Sequence, residues 1–345
     1  MKPLAKFHRP SIAFVISLLA GVGAVGANAA ESKPGGVQIT EQDGKLVIKV
    51  GGQLFSEYHS KAYGGKEVSR PFFYPVIGPG GVPMTRNWPM KDVEGEAHDH
   101  PHHRSLWYAH GDINGHDFWA ESAKSGKTVH VAFTEIKSGQ DVGVIRTQNK
   151  LVAVDGKMVC TEDRTMRIYN RAHDRMMDFE VTIHASESDV TFGDTKEGTM
   201  ALRLNESMRL TKPPAKGEKK SRPGEGRIVN SEGVRDGQTW GKRAKWCDYY
   251  GPVDGKVVGV AIFDHPQNPR HPTWWHVRDY GLFAANAFGR HDFESLPDRK
   301  AGNLVLPEGQ SVTFRYRIYF HEGDEKHGKV AEQYEEYART KVAQK

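Results

Sequence analysis

Residues 142–170, VGVIRTQNKLVAVDGKMVCTEDRTMRIYN, decide the fold. Two alternating runs, VGVIRTQNKLVAV and KMVCTEDRTMRIYN, flank Asp155-Gly156, a pair of the kind that supplies positive φ in a tight turn. Alternation with period two buries one face of a strand and solvates the other, so the stretch reads as an antiparallel hairpin. The rhythm continues in both directions. VQIT and KLVIKV surround Glu41-Gln42-Asp43-Gly44, and HVAFTEI, DFEVTIHAS, TMALRLN, KVVGVAIF and SVTFRYRIYFH follow. No helical pattern intervenes, which excludes a Rossmann-type or α/β-barrel fold and predicts a mainly β protein, a large antiparallel β-sandwich. One helix is expected at the C-terminus, over about 325–343. There Val330, Tyr334, Tyr337, Ala338 and Val342 share an amphipathic stripe that would pack across the sandwich or over a sheet edge.

The chain has 345 residues, a formal net charge of +5 and two cysteines. Its apolar and charged contents are ordinary for a globular protein and argue against disorder or a multi-span membrane protein. Residues 1–29 read as a signal peptide. Lys2, Lys6 and Arg9 precede an apolar core from Ser11 to Gly26, and Ala27-Asn28-Ala29 forms a small-x-small cleavage site. Export to the periplasm or beyond follows, and the apolar run is short for a membrane span. Removing those three cations takes the charge of residues 30–345 to +2, so the net basicity gives no case for nucleic acid. Cys160 and Cys247 could form one disulfide in an oxidising compartment. A single domain is expected over 30–345, interrupted only by a basic, Pro- and Gly-rich segment at 212–227 that reads as a mobile surface loop.

Histidine is the compositional anomaly. Of 17 in the chain, six lie between His98 and His116 and four more between His265 and His291. The first group sits in a Gly-, Pro- and aromatic-rich stretch, residues 74–119, that reads as a long loop of the kind retained to present a surface. Within it, His98, His100 and His102 alternate and so could ligate a divalent metal as imidazoles. Alternatively His100, His102 and His103 are metal-free acid/base or hydrogen-bonding groups, with Arg104, His110 and Asp112 extending the polar set. The second group, around His271, Trp275, His276 and Arg278 and followed by Asn286, repeats an Asp-His-Pro tripeptide: Asp99-His100-Pro101 and Asp264-His265-Pro266. Between two expected strands, Gly193-Asp194-Thr195-Lys196-Glu197-Gly198 packs acid, amine and acid into four residues. A general acid or base could sit there if burial moves its pKa toward neutrality.

Four of these stretches, YPVIGPGG, DHPHHRSLW with AHGDINGHDFW, GDTKEGTMALRL and NPRHPTWWHVRDYGLFAANAFG, resemble an exported bacterial family labelled "methane oxygenase PmoA" or domain of unknown function. The resemblance spans roughly residues 45–325. It implies no established reaction, and the methane label conflicts with a chain whose one long apolar run is the signal. At the level of fold, the strand count and the final SVTFRYRIYFHEG are also similar to the galactose-mutarotase-like supersandwich. That similarity implies a sugar bound on a sheet face, with imidazole and carboxylate moving protons.

Three functions are therefore expected from these residues. The leading one is an exported enzyme acting on a carbohydrate or sugar derivative, as epimerase, lyase or hydrolase, with no cofactor required. There His100, His102 and His103 act as acid/base groups, Glu197 as the carboxylate base and Lys196 as its electrostatic partner. Arg104, His110, Asp112, His271, Trp275, His276, Arg278 and Asn286 would bind substrate, Trp275 by stacking. The alternatives are a glycan-binding sandwich without catalysis and a metal-dependent oxygenase or hydrolase built on His98, His100 and His102. The site assignment is tested by geometry: whether the loop at 98–112, the Lys196-Glu197 turn and the segment 265–278 meet in one pocket.

Overall fold

The computed structural model describes Met1, residues 35–214 and residues 219–340. The signal segment, part of the basic loop and the last turn of the expected helix lie outside the described residues.

Two large antiparallel sheets dominate. The nine-stranded sheet runs in the order Val37–Gln42, Lys45–Val50, Gln53–His59, Phe72–Val76, Leu106–His110, Gly198–Arg203, Leu282–Asn286, Thr273–Val277 and Arg243–Ala244. The eight-stranded sheet runs Arg227–Asn230, Trp246–Val253, Lys256–Asp264, Ser311–Glu322, Arg175–His184, Met158–Tyr169, Val142–Val152 and Lys127–Lys137. The hairpin at 142–170 pairs from Val152↔Met158 to Val142↔Tyr169, and its turn places Gly156 at φ +85°. At the first hairpin Asp43 and Gly44 both have positive φ, 51° and 75°, the geometry a two-residue turn requires.

Alternation explains the interior. Ile145, Met166, Phe179, Val181 and Ile318 project inward from the eight-stranded sheet to meet Ile48, Phe73, Leu106, Met200 and Phe283 from the other. The opposite faces are also covered. On the nine-stranded sheet, Phe72, Tyr74, Trp107, Trp119, Ala201 and Leu282 form a second apolar layer. On the eight-stranded sheet, Phe263, Tyr319 and Met176 are covered by Val330, Tyr334 and Tyr337 of the C-terminal helix. That helix spans Val330–Ala338, shorter at its start than expected because residues 324–329 form turns before it begins.

Three expectations change here. The stretch 74–119 is not all loop: Leu106–His110 is a strand, buried at every position. Trp275 is a core residue, fully buried, with Nε1 donating to the Ala244 carbonyl at 3.0 Å, so it offers no stacking surface. Cys160 and Cys247 are buried and free. Three strands separate theirs in the sheet, about 19 Å at roughly 4.8 Å per strand, well beyond disulfide reach. The flanks of the basic loop pair as a short ladder, Thr211↔Pro223 and Lys212↔Arg222.

Candidate functional site

The outer face of the nine-stranded sheet carries the histidine-rich segment 97–105, and buried arginines hold it there. Arg86 donates to the carbonyls of Ala97 (3.1 Å), Asp99 (3.0 Å) and His100 (3.1 Å) as well as to the Asp99 carboxylate. Arg203 reaches the same carboxylate at 2.8 Å and donates to His103 Nδ1 at 3.2 Å. Arg70 donates to the His102 carbonyl and pairs with Glu121 at 3.2 Å. All three guanidinium groups are at most 1% exposed. Arg86 bonds mainly to carbonyls and the carboxylate of this segment, Arg203 to Asp99 and His103, and Arg70 ties the His102 carbonyl to those of Phe118 and Trp119, which is how such a loop acquires one conformation.

The rings of the segment then pile up. His103 stacks on Trp107 at 5.3 Å, His100 on His103 at 4.7 Å, and Tyr280 on His100 at 5.1 Å. His102 meets His103 edge-on at 4.5 Å. Tyr280 comes from the turn between Thr273–Val277 and Leu282–Asn286, two residues beyond the segment 265–278, none of whose residues lines the cleft.

Glu197 arrives from a turn pinned to the same strands. Asn286 Nδ2 donates to the carbonyls of Thr195 (3.0 Å) and Lys196 (2.9 Å), and His276 Nδ1 donates to Lys196 O at 2.6 Å. The Gly111 amide donates to Glu197 O at 2.7 Å. Gly111 must be glycine for this approach, because a Cβ there would lie 2.8 Å from Glu197 Cβ. Together His100, His102, His103, Gly111, Asp117, Trp119, Ala120, Glu197 and Tyr280 line one cleft of about 300 Å³. Lys196 stands beside it, half-exposed, with Nζ 3.4 Å from Glu197 Oε1.

Electrostatics fix the protonation of two imidazoles. Burial, reinforced by the charge of Arg70, pushes His102 down to about 4. Burial, with His102 and Arg203 alongside, holds His103 well below the ordinary histidine value. Both rings are neutral near pH 7. Since Arg203 donates to Nδ1 of His103, that ring carries its proton on Nε2.

Other expected site residues have different tasks. Arg104 is bound to Glu121 through Nε (3.0 and 2.8 Å), and His110 is buried, donating to Gly193 O at 2.9 Å. Asp112 caps a turn by accepting from the Gly115 amide at 2.9 Å. His271 pairs with Asp264 at 2.7 Å, and His265 packs edge-on against Tyr337 at 5.0 Å. The second Asp-His-Pro thus fastens a loop elsewhere. His276 and Asn286 lie beneath the Glu197 turn and position it rather than facing the cleft. Arg278 does not line the cleft but lies 5.5 Å from the ring of Tyr280, which does. Tyr280 and Asp117 are lining residues that the sequence reading gave no role.

The histidines at 98, 100 and 102 do not make a metal site. His98 is turned away, stacked on Trp88 at 4.1 Å and bonded to Asp92 at 3.0 Å. Among the described residues no group of three His, Cys, Asp or Glu side chains is arranged to hold a metal ion. No described helix is long and apolar enough to cross a membrane.

The model of a family of unknown function, DUF6807, matches residues 45–335. No curated protein matches the sequence. Among solved structures, the chain is similar to a GH36 alpha-galactosidase from Geobacillus stearothermophilus in complex with stachyose (9% identity, TM-score 0.37, covering 84% of this chain and 40% of that one). It is also similar to a glycoside hydrolase family 97 enzyme from Pseudoalteromonas sp. strain K8 in complex with panose (10% identity, TM-score 0.30, 84% and 35%). A galactose mutarotase related enzyme from Lactobacillus acidophilus is similar at 10% identity and TM-score 0.27, over 83% of this chain and 97% of that one. The chain spans between a third and two fifths of the longer glycoside-acting enzymes.

Proposed function

The chain belongs to the DUF6807 family, which has no assigned function, and from the cleft itself we propose that it is an exported protein acting on a carbohydrate or sugar derivative. The observation that carries this reading is the convergence of His100, His102, His103 and Glu197 on one cleft beside the aromatic ring of Tyr280. Sugars are bound by polar groups that pair with hydroxyls and by aromatic faces that cover their apolar C–H surfaces.

The chemistry of the cleft favours proton transfer. A neutral imidazole has one N–H to give and one lone pair to offer, and His103 presents its N–H at Nε2 because Nδ1 is occupied by Arg203. His103 therefore donates to a sugar oxygen, and His102 donates to or accepts from one, without either carrying a charge of its own. Glu197 is the carboxyl partner that exchanges a proton with the substrate. The same pair serves epimerisation, β-elimination or hydrolysis. The metal-dependent alternative on His98, His100 and His102 loses its first ligand, since His98 is bonded to Asp92 away from His100.

The test is turnover of a panel of mono- and oligosaccharides by the wild type, His102→Ala and Glu197→Gln, each checked for folding by circular dichroism. The wild type is expected to convert at least one sugar. The variants should lose activity by about two orders of magnitude or more, the usual contribution of a general acid or base. Variants that turn over sugar at the wild-type rate would overturn the assignment. A wild type that binds sugars and converts none would leave a glycan-binding protein.

A further inference from the structure

The cations around the cleft are almost all matched. Arg70 and Arg104 share Glu121, at 3.2 and 2.8 Å. Arg86 and Arg203 share Asp99. Lys196 leans on Glu197 at 3.4 Å. Arg278 is the exception: its guanidinium forms no ion pair among the described residues. It is half-buried and held by rings alone, 5.5 Å from the centre of Tyr280 and 5.9 Å from that of Trp240. Two aromatic faces restrict its swing while leaving its N–H donors unspent, which is the state of an arginine waiting for an anion.

We infer that the cleft takes a sugar bearing a carboxylate, a uronic acid unit, whose carboxylate is received by Arg278 beside Tyr280. This rests on the carbohydrate reading above and adds the class of sugar. Tyr280 joins the two halves of the argument, since its ring lines the cleft on one side and contacts Arg278 and Arg203. A planar guanidinium binds a carboxylate through two parallel N–H···O bonds, which a hydroxyl cannot reproduce. One unmatched cation beside Tyr280 suits a single negative charge better than the double charge of a phosphate.

The test is calorimetric titration of the chain with digalacturonate, its neutral counterpart galactobiose, and galactose 6-phosphate, at low and high salt. Digalacturonate is expected to bind about tenfold tighter than galactobiose, roughly the gain from one charge-assisted pair at a partly exposed site, and to weaken with salt. Arg278→Gln should erase that preference, bringing the two disaccharides to equal affinity on the variant, and Arg278→Lys should keep part of it. Equal affinity for the two disaccharides, or a preference that survives Arg278→Gln, overturns the inference and leaves the carbohydrate reading standing. Tighter binding of galactose 6-phosphate replaces the carboxylate with a phosphate and overturns it equally. If no sugar of either charge binds, the carbohydrate reading itself fails.

Discussion

At the scale of single residues, the site turns on side chains whose neighbours leave them one option. Gly111 is the clearest. A methyl group there would stand 2.8 Å from Glu197 Cβ and 3.1 Å from its carbonyl, so Gly111→Ala must push the Glu197 turn away from the histidines. Its expected outcome is a loss of turnover exceeding tenfold with a stability loss of about 1–3 kcal/mol, the usual range for overpacking; full activity in a folded Gly111→Ala would show that Glu197 need not be where it is. Asp99 is the second case. Burial opposes its charge, but the hydrogen bond with His100 and the charges of Arg203 and Arg86 hold it well below the usual carboxylate range. A group depressed in the fold contributes stability above its unfolded value, about 3.9, and loses it as pH falls toward the folded value. Asp99→Asn should therefore flatten the acid limb of a stability-against-pH curve below about pH 4, and an unchanged limb would refute the role. The sequence exposed His100, His102, His103 and Glu197 because their types are rare at such density. It hid Arg70, Arg86 and Arg203, since an isolated arginine in a chain reads as surface until the carbonyls around it are seen.

At the scale of elements, the most legible strands are those with one solvated or half-covered face, although Gly198–Arg203, buried at every position, is also legible in TMALRLN. Val142–Val152 and Met158–Tyr169 alternate in burial residue by residue, as their sequences do. Leu106–His110, Thr273–Val277 and Leu282–Asn286 are buried at every position, so neither LWYAH nor TWWHV shows a period of two. These central strands are also where the site is mounted. The consequence for Trp275, His276 and Asn286 is direct, because in a doubly covered strand a polar or aromatic side chain is spent on internal contacts. Asn286 and His276 hold the Thr195–Glu197 turn through three hydrogen bonds. Asn286→Ala is expected to lower kcat with little change in KM, alongside a stability loss of about 1–3 kcal/mol from the unsatisfied carbonyls. A change confined to stability, with kcat intact, would reduce Asn286 to a packing residue.

At the scale of the whole molecule, the histidine surplus becomes a dependence on pH. His110 and His276 are each pushed down to about 4 by burial, against about 6.5 in an unfolded chain. Between those values the unfolded state binds more protons, so stability rises with pH, by about 1.4 kcal/mol per pH unit for each group. His321 is raised, its buried Asp248 partner outweighing the desolvation. Its contribution is complete below the unfolded value and declines as pH rises past about 6.5, so by pH 7 it offsets only part of the gain from the other two. Urea denaturation should accordingly show less stability at pH 5 than at pH 7; equal or greater stability at pH 5 would contradict the burial of neutral imidazoles. The molecule also carries a larger groove, about 550 Å³ beside Lys245, Trp246 and Tyr334 of the C-terminal helix, remote in residue content from the histidine cleft. Where a sugar binds therefore separates the two most directly. Imidazole ¹H–¹⁵N NMR spectra recorded during titration with the best-bound sugar should show shifts at His100, His102 and His103, with His98, His265 and His271 unmoved. Silence at the first three rings, with perturbation confined to residues around Trp246 and Tyr334, would contradict the account.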